Sequence, residues 1–199
     1  AQRIRMAYSL MFSLPGTPVL FYGEEIGMAE NLAIDGRASV RSPMQWSDDR
    51  NGGFSTARPS RLRRPVVEGQ FGPLAVNVAA QRRDHDSLLN WMERLIRRRR
   101  ETPELAWGDW RVLTSSVVAV FAHRCDWEGG TVIAVHNLAA EPCLVRVDLH
   151  AVDDGARLDD LLDERPAFET LDEKSVALTL EAFGYRWYRL IPPDHIAPP

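Results

Sequence analysis

The sequence is poor in lysine, and no apolar run in it approaches the length that a bilayer requires. Lys174 is the only lysine, and arginine supplies the remaining positive charge, which we interpret as the codon bias of a GC-rich genome. The net charge of −4 creates no overall field that would attract nucleic acid or an anionic membrane. We therefore expect neither a nucleic-acid partner nor a membrane partner.

Cysteines are also few, and Cys125 and Cys143 allow at most one disulfide. In a protein of 199 residues we expect two free, buried thiols instead. Neither a C-x-x-C pair nor another metal-ligand spacing occurs, so the residues predict no metal site and no cofactor. The chain begins with Ala1 rather than Met and shows no signal peptide, so we expect a cytoplasmic bacterial protein with further sequence upstream.

The sequence begins with the pattern of one α/β step. The stretch Arg3–Leu14 places apolar residues at helical spacing, and Pro15 and Gly16 end the predicted helix. The continuously apolar run Val19–Tyr22 follows, which is typical of a strand buried on both faces of a parallel sheet.

A long irregular segment and a second helix come next. Residues 28–80 are rich in Gly, Pro, Asn and Arg, and a loop of this length in a compact domain indicates a functional segment. Residues 84–101 predict a helix with Asp84 or Asp86 as its N-cap. Its end, Arg97–Arg100, spreads four cations around the helix, so we expect a solvated helix end and not a nucleic-acid stripe.

The C-terminal part changes to short β-runs separated by turns. This spacing predicts a small antiparallel sandwich. The predicted strands are Arg111–Leu113, Val117–His123, Thr131–His136, Leu144–Leu149, Ser175–Leu180 and Tyr185–Ile191.

Several of these stretches, in this order, closely resemble glycoside hydrolase family 13, the α-amylase superfamily. GTPVLFYGEEIG is similar to the eighth barrel strand of that family, with Gly16, Pro18, Tyr22, Gly23 and Glu25 in the expected places. VRSPMQWS (40–47) and NGGFS (51–55) are similar to the loop that follows this strand in the trehalose synthase and oligo-1,6-glucosidase branch. FGYRWYRL (183–190) resembles the closing strand of the C-terminal β-domain in trehalose-synthase-like members. The segment from 77 to 110 is similar to the last barrel helix and the barrel exit of the trehalose-synthase-like members.

The resemblance implies a fold class and a domain organisation. Residues 1–108 would be an α/β fragment, the last strand and helices of a (β/α)8 TIM barrel, and residues 109–193 an all-β antiparallel sandwich. Residues 194–199 would form a loose tail. One strand cannot close a barrel, so this fragment implies a partner segment, the N-terminal part of the barrel.

The resemblance also implies a chemistry. Family members use a carboxylate nucleophile and an acid–base carboxyl group in a retaining mechanism on α-linked glucosides. Those carboxylates follow earlier barrel strands, so this chain would contain no catalytic residue. The implied substrate is an α-linked glucose disaccharide or oligosaccharide, with hydrolysis and maltose-to-trehalose isomerisation both open. A calcium ion in a parent enzyme is compatible with the family, although this chain shows no site for one.

Glu24 and Glu25 could be a pair of catalytic carboxylates, but their adjacent positions disfavour that role. Adjacent side chains in an extended segment diverge, whereas a retaining pair faces one bond at about 5–5.5 Å. We expect Glu25 to anchor the turn and Glu24 to face the substrate pocket. An independent enzyme that uses both residues is the less favoured alternative.

Three residues of the long loop are candidate substrate contacts. Arg41 and Arg37 offer planar forks of donors for sugar hydroxyls, and Gln45 offers an amide. The alternative for Arg41 is an ion pair that braces the loop, with Asp35, Glu25 or Asp48 as partner. The alternative for Gln45 is a bridge between backbone groups of the loop.

The β-domain allows a different class of function, a non-catalytic carbohydrate-binding or structural module. Exposed coplanar aromatic rings on one sheet face would favour carbohydrate binding, and burial of all of them would leave a structural cap. The candidates are Trp110, Trp127, Tyr185, Trp187 and Tyr188.

Overall fold

The computed structural model describes residues 2–163, 168–170 and 174–193. The chain divides into two compact units, of which one is Val19–Arg94 and the other joins Ala1–Pro18 to Leu95–Pro199. The predicted tail, 194–199, lies outside the described residues.

The described residues form four α-helices, which are α1 (Gln2–Ser13), α2 (Val78–Arg83), α3 (Leu88–Arg100) and α4 (Glu104–Trp107). The two longest, α1 and α3, are those that the sequence predicts. The predicted caps of α3 are wrong, because Ser87 Oγ accepts the Asn90 N–H at 3.2 Å. Asp84 instead accepts the Asp86 N–H at 2.9 Å, in the turn before the helix.

One arginine at the end of α3 also differs from the expectation of a solvated helix end. Arg99 is only 8% exposed, and its Nη2 donates to the Gly16 carbonyl at 2.9 Å. The bond holds the Pro15–Gly16 turn, so this guanidinium has a structural role within its unit.

The C-terminal part forms an antiparallel sandwich, as predicted. A six-stranded sheet has the order β1-β2-β3-β8-β5-β6, and β4 and β7 form a second sheet. The strands are β1 (Asp109–Leu113), β2 (Val120–Trp127), β3 (Gly130–Asn137), β4 (Cys143–Asp148), β5 (Arg157–Asp160), β6 (Phe168–Thr170), β7 (Ser175–Leu180) and β8 (Tyr185–Ile191).

The core of the sandwich lies between the two sheets. The larger sheet contributes Ile133, Val135 and Tyr188, and the smaller sheet contributes Val145 and Leu178. All five side chains are at most 3% exposed. Burial in this core raises the pKa of the Tyr188 hydroxyl far above its ordinary value.

The opposite face of the larger sheet packs against helix α1 through buried polar groups. Ser9 Oγ lies 3.0 Å from His136 Nε2 and accepts the Trp187 Nε1–H at 3.0 Å. Ser13 Oγ donates to a backbone carbonyl at 3.0 Å, so it must accept from His123 Nε2–H, which is also 3.0 Å away. Burial lowers the pKa of His123 to about 4 and that of His136 to about 3, so both imidazoles are neutral.

The expectation of a buried strand over Val19–Tyr22 is wrong for this structure. No strand forms anywhere in residues 19–94, all of which are described, so the run 19–22 has no neighbouring strand with which to pair within its unit. Val19 is 81% exposed, and Phe21 and Tyr22 are 43% and 46% exposed. A strand is stabilised by cross-strand pairing, which this unit does not supply.

The two cysteines are free, as expected. Cys125 is buried, whereas Cys143 is only partly buried, so the expectation of burial holds for the first alone. No helix among the described residues is long and apolar enough to cross a membrane.

Candidate functional site

The turn after the apolar run 19–22 depends on two glycines with left-handed backbone. Gly23 has a φ of 93° and Gly27 a φ of 72°, a region that other residues adopt only with strain. A Cβ on Gly23 would also lie 2.7 Å from Met28 Sδ. Glycine at this motif position therefore has a physical reason.

Both carboxylates of this turn accept hydrogen bonds from its own backbone. Glu25 Oε2 accepts the Gly23 N–H at 2.7 Å, and Glu24 Oε2 accepts the Phe21 N–H at 3.3 Å. Both bonds brace the turn, as expected of an anchoring residue, and the two carboxylates bind different N–H groups, those of Gly23 and Phe21. A substrate contact for Glu24 stays a prediction.

Backbone hydrogen bonds join the loop motifs to one another and to the start of α2. The Gly52 carbonyl accepts the N–H groups of Trp46 and Ser47, at 2.7 and 3.1 Å, so NGGFS folds onto VRSPMQWS. The N–H groups of Val78 and Ala79 donate to the carbonyls of Gln45 and Trp46, at 3.0 and 2.9 Å.

The strand-eight motif is connected to the same segment. The Tyr22 hydroxyl donates to the Ser42 carbonyl at 2.9 Å, and so attaches VRSPMQWS to GTPVLFYGEEIG. The motifs that carry the family resemblance in this unit therefore form one hydrogen-bonded network.

Buried amide side chains take the place of regular secondary structure in this network. Gln45 is fully buried, and its Nε2 donates to the carbonyls of Phe71 and Val76, at 3.1 and 2.5 Å. Asn51, whose φ is 55°, donates to the carbonyls of Ser55 and Ala57 at 2.7 and 2.9 Å. Each amide satisfies two backbone groups that a loop would otherwise leave unpaired.

Two further amides extend the network to the helices, and sequence analysis did not identify them. Asn77 accepts the Ala80 N–H at 2.7 Å and caps α2. Gln81 donates to the Ile26 carbonyl at 2.7 Å and accepts the Leu89 N–H at 3.0 Å. An asparagine directly before a helical run is a recognisable cap, but the distant partners of Gln81 leave no local pattern.

The two candidate arginines lie on the exposed surface of this unit. Arg37 sits in a short 3₁₀ turn, and the Arg41 N–H donates to the Ala38 carbonyl at 3.1 Å. Among the described residues, no ion pair joins Arg41 to Asp35, Glu25 or Asp48. Trp46 is 50% exposed. Arg37, Arg41 and Trp46 are therefore exposed on a loop that backbone hydrogen bonds hold in place.

The aromatic candidates of the sandwich divide into two groups. Trp187 and Tyr188 are 0% and 2% exposed, so both belong to packed interiors. Trp110 and Trp127 are 40% and 37% exposed and lie on the same face of β1 and β2, because Trp110 is opposite Cys125. Tyr185 is partly buried and stacks on His136, with a centroid distance of 6.5 Å.

The side chains suited to metal coordination are dispersed. Within the described ranges, 2–163, 168–170 and 174–193, no group of three or more His, Cys, Asp and Glu side chains could hold a metal ion. The absence of a cofactor stays a prediction.

Comparisons with protein families divide the chain in two. The model of the α-amylase catalytic domain matches residues 1–108. The model of the sucrose hydrolase-like C-terminal domain matches residues 129–189.

Among curated proteins, the chain is similar to trehalose synthases. It is 37% identical over 197 residues to the trehalose synthase of Pimelobacter, a match that covers 96% of this chain and 34% of that protein. It is also 37% identical over 201 residues to a trehalose synthase/amylase of Mycobacterium tuberculosis, which covers 99% of this chain and 33% of that protein. The chain spans about a third of the length of these relatives.

Solved structures share the fold at lower identity. Trehalose-6-phosphate hydrolase from Bacillus licheniformis is 19% identical with a TM-score of 0.73, and the match covers 96% of this chain and 39% of that one. The trehalulose synthase MutB from Pseudomonas mesoacidophila is 24% identical with a TM-score of 0.72, over 95% of this chain and 38% of that one.

Proposed function

Since the chain belongs to the α-amylase family, we propose that it is the C-terminal part of an enzyme that converts maltose into trehalose. The observation that carries this proposal is the match to trehalose synthases at 37% identity along 96% of the chain. The match extends through the loop and the sandwich together, so it does not depend on one short motif.

In this proposal the catalytic carboxylates belong to a preceding segment of a longer protein, and the isolated chain is inactive. Retaining chemistry on a glucoside requires a nucleophile and an acid–base group on opposite sides of one bond. Glu24 and Glu25 are occupied by the backbone of their own turn, which supports a structural role for them.

The contribution of this chain is part of the wall of the sugar pocket. Isomerisation requires that the released glucose is held and attacked again before water reacts with the intermediate, so a closed pocket matters. We assign Arg41 and Arg37 to contacts with sugar hydroxyls, and Glu24 to the edge of the pocket. Gln45 is fully buried, and we assign it to the positioning of the segment that carries Arg41.

Hydrolysis of α-glucosidic bonds is the second candidate activity. One relative carries both activities in its name, trehalose synthase/amylase. Both reactions pass through the same glycosyl-enzyme intermediate, and they differ in whether glucose or water attacks it.

The test uses the complete enzyme, with maltose as substrate and with trehalose and glucose as measured products. We expect trehalose to form, and Arg41→Ala to lower kcat/KM at least about tenfold, the loss typical of one charged contact. Arg83→Ala, at an exposed position of α2, is the matched control and should leave the kinetics unchanged. Unchanged kinetics in Arg41→Ala would remove Arg41 from the pocket, and glucose as the sole product would replace isomerisation by hydrolysis.

A further inference from the structure

Three of the six tryptophans of the chain are exposed at one end of the larger sheet. They are Trp107, the last residue of α4, Trp110 of β1 and Trp127 of β2, with exposed fractions of 71%, 40% and 37%. An indole buries a large apolar surface when it packs, so several exposed indoles in one place indicate a binding surface. These three residues are named the tryptophan cluster below.

Strand pairing places two of the indoles side by side. Trp110 is opposite Cys125 in the pair of β1 and β2, and Trp127 follows Cys125 by two residues, so both indoles lie on the same face of the sheet. Residues in this diagonal relation are about 7–8 Å apart, which is within reach of large aromatic side chains. Trp110 and Trp127 therefore form one apolar platform.

The turn after α4 brings Trp107 to the same end of the sheet. The Gly108 N–H donates to the Glu104 carbonyl at 2.9 Å, and a Cβ on Gly108 would lie 3.0 Å from the Asp126 carbonyl oxygen. Glycine permits this close approach of two backbone segments. Trp107 and Trp127 are the sequence neighbours of the contact, so the backbone holds them near each other.

A buried residue supports the platform from its inner side. The ring centroids of Trp110 and His123 are 6.1 Å apart, and His123 Nε2 lies 3.0 Å from Ser13 Oγ of α1. His123 is fully buried, whereas Trp110 keeps an exposed surface for a ligand. A side chain that is already held in place loses little conformational freedom when a ligand binds.

The chemistry of the cluster favours a sugar over a lipid surface. A glucose ring has an apolar C–H face that stacks on an indole, and its hydroxyls donate hydrogen bonds to carboxylates. Asp109 and Glu128 are exposed, and each is a sequence neighbour of a cluster residue. The same two negative charges would oppose an anionic membrane. Two adjacent indoles suit two successive rings of one oligosaccharide.

We propose that the tryptophan cluster binds an oligosaccharide of glucose. Trp110 and Trp127 stack on two successive glucose rings, Trp107 extends the apolar surface, and the neighbouring carboxylates accept hydrogen bonds from hydroxyl groups. The proposal concerns binding alone and is tested without turnover, so it does not rest on the conversion of maltose into trehalose.

The experiment is calorimetric titration of the complete 199-residue chain with maltoheptaose and with glucose at neutral pH. We expect saturable binding of maltoheptaose, and at least about tenfold weaker binding of glucose, which covers one indole only. Trp110→Ala and Trp127→Ala should each weaken the binding of maltoheptaose at least about tenfold, since each removes one stacking surface. Trp110→Phe keeps an aromatic face and should bind more tightly than Trp110→Ala.

Two further variants serve as controls, and circular dichroism of each variant checks that it folds. Leu144→Ala removes an apolar side chain of β4 that is 71% exposed, and it should bind as the parent chain does. Trp46→Ala removes the exposed indole of the loop unit, and it should also leave binding unchanged. Loss of binding in Trp46→Ala, with full binding in Trp110→Ala and Trp127→Ala, would place the sugar on the loop and overturn the proposal.

Other results would also overturn it. These are no binding of maltoheptaose, equal affinity for glucose and maltoheptaose, and unchanged affinity in both Trp110→Ala and Trp127→Ala. Sedimentation velocity of the parent chain and of Trp110→Ala tests a different occupant, a second copy of the chain. Self-association that Trp110→Ala abolishes would show that the indoles are covered by protein, and would contradict a sugar site.

Discussion

Acid should destabilise the unit that contains the sandwich, because α1 is attached to it through two neutral imidazoles. The folded-state pKa is about 4 for His123 and about 3 for His136, whereas an unfolded histidine titrates near its ordinary value of about 6.5. The unfolded chain therefore binds more protons, and the free energy of unfolding falls as pH decreases from about 6.5. Above that value the stabilisation is fully present.

The magnitude follows from the same values. Each pH unit below about 6.5 removes about 1.4 kcal/mol for each histidine, so by pH 5 the pair removes about 4 kcal/mol. That loss is a large part of the stability of a domain, which is about 5–15 kcal/mol. After burial, the positive charge of Arg99 also lowers the pKa of His123, because it opposes protonation of the nearby imidazole.

Urea unfolding monitored by tryptophan fluorescence at pH 7, 6 and 5 measures this slope. His136→Gln and His123→Gln each replace an imidazole by an amide that does not titrate. Each variant should therefore lose about half of the slope, whatever its stability at pH 7. A free energy of unfolding that changes by less than about 1 kcal/mol between pH 7 and 5 would refute the reasoning. So would variants that retain the full slope.

Three further predictions concern individual residues. Gln45→Ala should lower the free energy of unfolding by about 1–3 kcal/mol and speed hydrogen exchange around Val76, because the carbonyls of Phe71 and Val76 lose their donor. Unchanged exchange would contradict the bracing role. Gly23→Ala should lower the free energy of unfolding, measured by thermal denaturation, by at least about 1 kcal/mol. The reason is that alanine is strained at a φ of 93° and its Cβ would also contact Met28. An unchanged free energy of unfolding would show that the turn relaxes. Native Cys125 should resist a thiol reagent at pH 8 that modifies Cys143, because burial raises the pKa of Cys125 to about 11; equal reaction rates would refute this.

The elements that the sequence predicts well are those with a strong local period. Helix α1 carries apolar residues at helical spacing, and β7 alternates buried and exposed residues along Ser175–Leu180. Sequence analysis did not predict strands β5 and β6, because four and three residues are too few to show an alternation of apolar and polar residues. Their existence depends on β8, the neighbour that pairs with β5.

The features that sequence analysis missed depend on distant partners. The apolar run 19–22 has the composition of a buried strand, but a strand requires a pairing neighbour, and the unit 19–94 contains none. The buried histidines bond to serines of α1 that are more than a hundred residues away in the sequence, so no local pattern predicts these contacts. For Gln45, sequence analysis offered both a substrate contact and a bridge between backbone groups, and the structure shows the bridge, with partners 26 and 31 residues away.

The aromatic candidates illustrate the same limit. Strand parity alone predicts that Tyr185 and Trp187 share one face and that Tyr188 faces the other. Parity cannot tell that both faces of β8 are covered, by α1 on one side and by the smaller sheet on the other. Only at β1 and β2 do aromatic rings of this set retain substantial exposure, at Trp110 and Trp127.

The central claim is that this chain supports a sugar-active enzyme without containing its catalytic carboxylates. The most direct measurement is an assay of the purified 199-residue chain with maltose and with trehalose, in which glucose and the other disaccharide are quantified. The account predicts no turnover of either sugar. Turnover that is lost in Glu24→Gln or Glu25→Gln would contradict it, and would make the turn after residues 19–22 a catalytic site.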